Sequence, residues 1–225
     1  MNIQIPHRAR PLLSDQLGLW IAILCLEATL VAAYFTVTPD RPTTQIRYLV
    51  YPFVWINAGL WAVSRTAPIS GRRELRIIAG SVAFAYFLLM LYLPGNLAFD
   101  TAATSVEVRI EMYAPGWGPL VAVTSPWIRL FVLPFTAIGY GSLSYLLYVN
   151  IVDLTRGTLS GVLGLVTCVG CTVPVLVPIV GIMGGPATSL ATTAYAWSYD
   201  MGTVFFLLAV GILLVSHQRG RRIDE

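Results

Sequence analysis

Cysteines and carboxylic acids in apolar surroundings are the residues best suited to chemistry in this sequence. Cys168 and Cys171 form a CxxC inside an apolar run, and their spacing puts both thiols on one face of a helix. Thiolates suit soft ions such as Cu(I), and Cys25 could complete a copper site. A CxxC can also be a redox-active dithiol. Small residues of this kind also let membrane helices pack closely, so metal binding, redox chemistry and packing stay open as alternatives.

Three further polar side chains fall near the middle of predicted membrane spans. These are Glu27, Asn57 and Asp200. An ionisable group at the bilayer centre normally faces the interior of a helix bundle or a cavity. The sequence places no arginine at the same depth, so neither acid has an obvious salt-bridge partner. We therefore predict a proton or cation site formed by these three residues; two neutral acids, each hydrogen-bonded to a neighbouring helix, are the alternative.

Composition predicts a membrane protein. The chain has 225 residues, of which 56% are hydrophobic and only 11% charged, whereas soluble domains average about 25% charged residues. Its sequence contains no P-loop, GxSxG, HExxH or dinucleotide-binding motif, which favours a non-enzymatic role. The expected partners are the lipid bilayer and other subunits of a membrane complex, and no nucleic acid.

Hydropathy predicts one all-α transmembrane domain over residues 1–225. A bilayer-spanning helix needs about 20 apolar residues, and six segments come close to this length: 17–37, 48–64, 77–93, 127–151, 159–183 and 188–215. Arginines concentrate on the side that carries the termini, which predicts that both termini are cytoplasmic. The long connection 96–125 is then extracytoplasmic. Within it, Ser105–Met112 alternates polar and apolar residues as a strand does, and Ala114–Pro119 is rich in turn residues.

Several segments together resemble a known family. They are Ala114-Pro-Gly-Trp-Gly-Pro119, Cys168–Gly185 and Tyr199-Asp-Met-Gly-Thr203, and all fourteen basic residues are arginine. In these features the chain resembles a family of six-helix integral membrane proteins of unknown function from halophilic archaea. That resemblance implies no activity and assigns no site residue.

The sequence thus predicts a multi-pass protein of the cell membrane without a named activity. The leading hypothesis is an accessory or assembly protein, or one that handles a small cargo such as a metal ion or a proton. One alternative is a membrane thiol oxidoreductase that uses the intramembrane CxxC. The other is a purely structural subunit of a membrane complex.

Overall fold

Helices and one sheet make up the part of the chain that the computed structural model describes, residues 10–37, 46–66, 73–99, 103–154 and 189–223. The helices are α1 (Arg10–Val37), α2 (Ile46–Arg65), α3 (Arg73–Tyr92), α4 (Pro134–Leu154) and α5 (Ser189–Ile223). The strands are β1 (Leu97–Ala98), β2 (Glu107–Glu111), β3 (Leu120–Thr124) and β4 (Arg129–Val132). Contacts divide the chain into two compact units, Met1–Ile46 and Arg47–Glu225, and α1 belongs to the first.

The prediction of an all-α bundle of six helices is wrong. The described residues hold five helices, and four antiparallel strands form a sheet in the order β1-β4-β3-β2. The alternation over Ser105–Met112 correctly indicates β2, but the helix predicted over 127–151 includes the apolar residues of β4. Periodicity alone cannot separate a short apolar strand from a helix. Helix α4 begins instead at Pro134, a residue favoured at the first helical position because its fixed φ suits the helix.

Four helical segments of the described chain are long and apolar enough to cross a membrane. By length and composition they are Leu17–Val37, Arg73–Tyr92, Pro134–Asp153 and Tyr199–Gln218. The predicted span 48–64, which lies within α2, is not among them, and the predicted span 159–183 lies outside the described residues. Helix α5 is longer than its predicted span and continues past its predicted end at residue 215.

The core of the second unit is built on close aromatic contacts between helices. The Trp55 ring of α2 stacks on Phe206 of α5, with 4.2 Å between the ring centroids and 4° between their planes. Gly139 of α4 lies against the same indole, and a Cβ at this position would come within 2.5 Å of a Trp55 ring carbon. The absence of a side chain at Gly139 therefore lets α4 approach α2 closely.

Strands β1 and β4 join the sheet directly to the helices, since β1 follows α3 and β4 leads into α4. We call the end of the helices beside the sheet the sheet end, and the opposite end, where α4 and α5 finish, the tail end. Residues paired across the sheet point to the same face. One face, here the apolar face, consists of Leu97, Val108, Ile110, Val121, Val123, Leu130 and Val132. The opposite face carries the charged residues of β2, namely Glu107, Arg109 and Glu111.

Candidate functional site

The loop before β3 is inserted among the helices at the sheet end. Trp117 of this loop donates its indole N–H to the backbone carbonyl of Tyr48 at 2.7 Å. Residue 52, four positions further along α2, is a proline and has no N–H to give that carbonyl. Trp117 thus supplies the hydrogen bond that Pro52 removes from α2. We call residues Ala114–Pro119 the Trp117 loop.

Close approach of this loop to α2 depends on Gly116. Its φ of +85° lies in the left-handed region that glycine adopts without strain. A Cβ on Gly116 would lie 2.5 Å from the Cβ of Pro52, so the space is already filled by the buried proline ring. The Trp117 ring then packs between α4 and α5, with centroids 4.9 Å from Phe135 and 5.3 Å from Tyr199. Trp117 thereby packs against the core of the second unit.

A ladder of polar and aromatic contacts joins α2 to α5 below the loop. Residues 47, 51 and 55 share one face of α2 because they follow one another at i+4 spacing. Arg47 Nη1 lies 2.9 Å from Asp200 Oδ2, and the Tyr51 hydroxyl donates to Asp200 Oδ1. One turn further, Trp55 Nε1 donates to the hydroxyl of Thr203 at 3.1 Å. The face of α2 is thereby matched, contact by contact, to the face of α5.

The ion pair changes the interpretation of Asp200. Its position in the sequence indicated that it lacked a salt-bridge partner, but Arg47 provides one and Tyr51 occupies the other oxygen. The side chains of Arg47 and Asp200 are only 34% and 18% exposed, so water screens the pair incompletely. A carboxylate with both oxygens bonded and its charge compensated holds helices together well. It is a poor vacant site for a cation.

The other predicted site residues belong to a later part of α2 and to α1. Asn57 is partly buried on α2, about 9 Å of helix rise beyond Tyr51. Cys25 and Glu27 lie on α1, in the unit Met1–Ile46, where Cys25 is exposed. The CxxC lies outside the described residues, so the proposed copper site and dithiol stay predictions. Within the described residues no group of three or more His, Cys, Asp and Glu side chains could hold a metal ion.

Sequence reasoning missed the residues that make this site. Arg47 precedes the predicted span 48–64, although its i, i+4 relation to Tyr51 puts both on one helix face. A proline inside a predicted helix frees a carbonyl that must find another donor. A nearby Trp in a glycine- and proline-rich loop is a suitable donor, and that pattern is the signal which could have indicated Trp117.

Comparison with known proteins shows which family the chain belongs to. The model of a family of unknown function, DUF7546, matches residues 2–220. No curated protein matches the chain, and no solved structure matches it. Because the match extends over nearly the whole sequence, the chain belongs to the family of unknown function DUF7546.

Proposed function

We propose that the protein is a multi-pass, non-enzymatic accessory protein of the cell membrane, whose sheet docks an extended segment of a partner protein. One observation carries the proposal: β2 is an edge strand with all five residues exposed, and it borders a sheet face built only of apolar residues. The role concerns assembly with another protein, and no reaction is assigned to the chain.

Membrane insertion is supported by the outward faces of the apolar helices. Ile78 and Phe84 on α3, and Val204 and Leu208 on α5, are exposed. Water-exposed faces of soluble proteins rarely carry apolar residues at this density, whereas lipid favours them. The opposite face of α3 is buried and carries smaller or mixed residues, including Ala79 and Ala83.

A rigid attachment of the sheet supports docking. Two strands run directly into helices α3 and α4, and the Trp117 loop fastens the start of β3 to α2, α4 and α5. A partner bound to the sheet would therefore be held in a defined position relative to the helices. Rigid presentation of a binding surface lowers the entropy lost on association.

The exposed edge supports a strand as the ligand. Val108 and Ile110 are 61% and 67% exposed although they belong to the apolar face. An edge strand offers unpaired backbone N–H and C=O groups, which an incoming strand can pair with while its side chains extend both sheet faces. Along the charged face the order Glu107, Arg109, Glu111 favours a partner strand with the order basic, acidic, basic.

A second copy of the chain does not fit this edge in one membrane. Glu111 lies next to the Trp117 loop, at the end of β2 that is nearer the helices, and Glu107 lies at the other end. Symmetric antiparallel pairing of two β2 strands would place the helix-proximal end of one beside the distal end of the other. The helices of the two copies would then leave the joint sheet in opposite directions. The partner is therefore a different protein.

Photo-crosslinking in native membranes tests the proposal. A photoreactive amino acid in place of Ile110 should give a cross-link to one protein, at a segment of alternating apolar and charged residues. The double change Val108→Glu with Ile110→Glu should abolish co-purification of that protein, because two buried carboxylates would be left unpaired. The matched change Trp127→Glu, at the exposed turn between β3 and β4 and outside β2, should retain it. Cross-links to lipid alone, or unchanged co-purification by the Glu variant, would contradict docking of a protein.

A further inference from the structure

Strand β4 fixes the position of the sheet relative to the membrane. Its last residue, Val132, precedes Pro134, the first residue of α4, by two positions. The apolar segment Pro134–Asp153 has 20 residues, and a helix of this length is about 30 Å long, which is the thickness of the hydrocarbon core. With α4 inserted as proposed, Pro134 lies at the surface of that core. Val132, about 7 Å of extended chain further out, then lies among the lipid headgroups.

The Trp117 loop holds the neighbouring strands at the same level. The Trp117 ring lies 4.9 Å from the ring of Phe135, which belongs to the first turn of α4. Leu120, the first residue of β3, follows Trp117 by three positions and pairs with Glu111, the last residue of β2. Two separate connections therefore bring β3 and β4 to the start of α4. The end of β2 at Glu111 lies at the membrane surface as a result.

The register of the sheet extends this level to the free edge of β2. Ile110 pairs with Val121, and Val121 pairs with Val132, so the three residues lie in one row across the sheet. Adjacent strands are about 4.8 Å apart, which puts Ile110 about 10 Å from Val132 along that row. A strand added at the free edge would therefore have one end, beside Glu111, in the headgroup layer. Chain next to a transmembrane helix already lies in this layer and is concentrated at it, which lowers the entropy lost on docking.

The two carboxylates of β2 differ in their contacts within the strand. Arg109 Nε lies 2.7 Å from Glu107 Oε1, so the guanidinium is bound to the carboxylate at the far end of the strand. Glu111 accepts a hydrogen bond from the Tyr113 hydroxyl at 2.6 Å, a contact that leaves its negative charge in place. Opposite charges directly across a strand pair stabilise the pairing. The end of β2 at the membrane therefore favours a basic side chain on the incoming strand.

We propose that the strand which docks on β2 is the juxtamembrane segment of another integral membrane protein, with a basic side chain opposite Glu111. This inference rests on the proposed docking at β2 and names the class of its partner. The segment is extended over the five residues of β2 and continues directly into its own transmembrane helix. Its apolar side chains lie beside Val108 and Ile110, and its basic side chain lies at the end nearest the membrane.

The position of the cross-link on the partner tests this inference. A photoreactive amino acid replaces Ile110 in the full chain, and native membranes are irradiated and then washed with alkaline carbonate. We expect the cross-linked protein to stay in the membrane, and its cross-linked peptide to lie within about ten residues of an apolar segment long enough to span it. Adding Glu111→Arg should lower the yield of this cross-link about fivefold, because an attractive charge pair becomes a repulsive one. Glu74→Arg, an equal change at an exposed position at the tail end, should leave the yield unchanged.

The possible results distinguish failure of this inference from failure of the docking itself. A cross-linked protein that carbonate releases, or a cross-linked peptide far from any apolar span, overturns the juxtamembrane partner and leaves docking at β2 intact. An equal cross-link yield with Glu111→Arg and with Glu74→Arg overturns the basic side chain opposite Glu111. Cross-links to lipid alone contradict the proposed docking, and this inference with it. The mapping of the peptide needs no change at Glu111, so it decides even if that variant is poorly expressed.

Discussion

Replacing Trp117 by alanine should loosen the sheet from the helices. The change removes the 2.7 Å hydrogen bond to the Tyr48 carbonyl and the ring contacts with Phe135 and Tyr199. We expect a loss of about 3 kcal/mol in the free energy of unfolding, the lower end of the range for a core Trp→Ala change, because Trp117 is only partly buried. Trp117→Phe keeps a ring but leaves the carbonyl without its donor, and should cost roughly 1–2 kcal/mol.

The assay is equilibrium unfolding of the purified protein in mild detergent, followed by far-ultraviolet circular dichroism so that loss of an indole does not alter the signal. Trp127 provides the matched control, since its side chain is 77% exposed at the turn between β3 and β4. Trp127→Ala should change the free energy of unfolding by no more than about 0.5 kcal/mol. Equal stability of the Trp117→Ala and Trp127→Ala variants would refute the proposed attachment of the sheet.

Three further changes test the contacts beneath the loop. Pro52→Ala restores a backbone N–H to α2, so Trp117→Phe should lower the free energy of unfolding by less in the Pro52→Ala protein than in the original one. An equal loss in both would exclude competition between residue 52 and Trp117 for the Tyr48 carbonyl. A double-mutant cycle of Arg47→Met and Asp200→Asn should give a coupling of about 1–2 kcal/mol, between the values for exposed and buried pairs. Gly139→Ala should destabilise by about 1–3 kcal/mol through overpacking against the stacked indole, and a neutral effect in thermal unfolding would contradict the close approach of α4.

Membrane-type helices were largely predictable because their signal is local. Long apolar runs predicted α3, α4 and the apolar part of α5, and the alternation over Ser105–Met112 predicted β2. Each of these signals depends only on residues close together in the chain. Pro134 is likewise a local signal for the start of α4, but the continuous apolar run before it conceals that boundary.

The sheet could not be predicted as a whole because its pairing is not local. Strand β4 lies between β1 and β3, and these two neighbours come from opposite ends of the connection between α3 and β4. The sequence of β4 fits the beginning of a helix equally well. The sequence predicts only a strand-like stretch and a turn-rich segment in this connection, whereas its Trp117 loop packs against α2 and α4.

Contacts between helices that are distant in the chain leave no signal in local hydropathy. The sequence predicts no salt-bridge partner for Asp200, whereas Arg47 at the start of α2 pairs with it. The predicted span 188–215 ends before His217, whereas helix α5 continues through this residue and buries it beside Asp153.

Chemical accessibility of residue 110 tests the docking proposal most directly. Ile110→Cys, and Trp127→Cys as the control at the sheet's exposed turn, would be treated with a membrane-impermeant thiol reagent in native membranes and again after purification. We predict that the thiol at 110 is protected in native membranes and reacts freely once the protein is purified alone, while the thiol at 127 reacts in both. Equal reactivity of residue 110 in the two states would contradict a partner strand at β2.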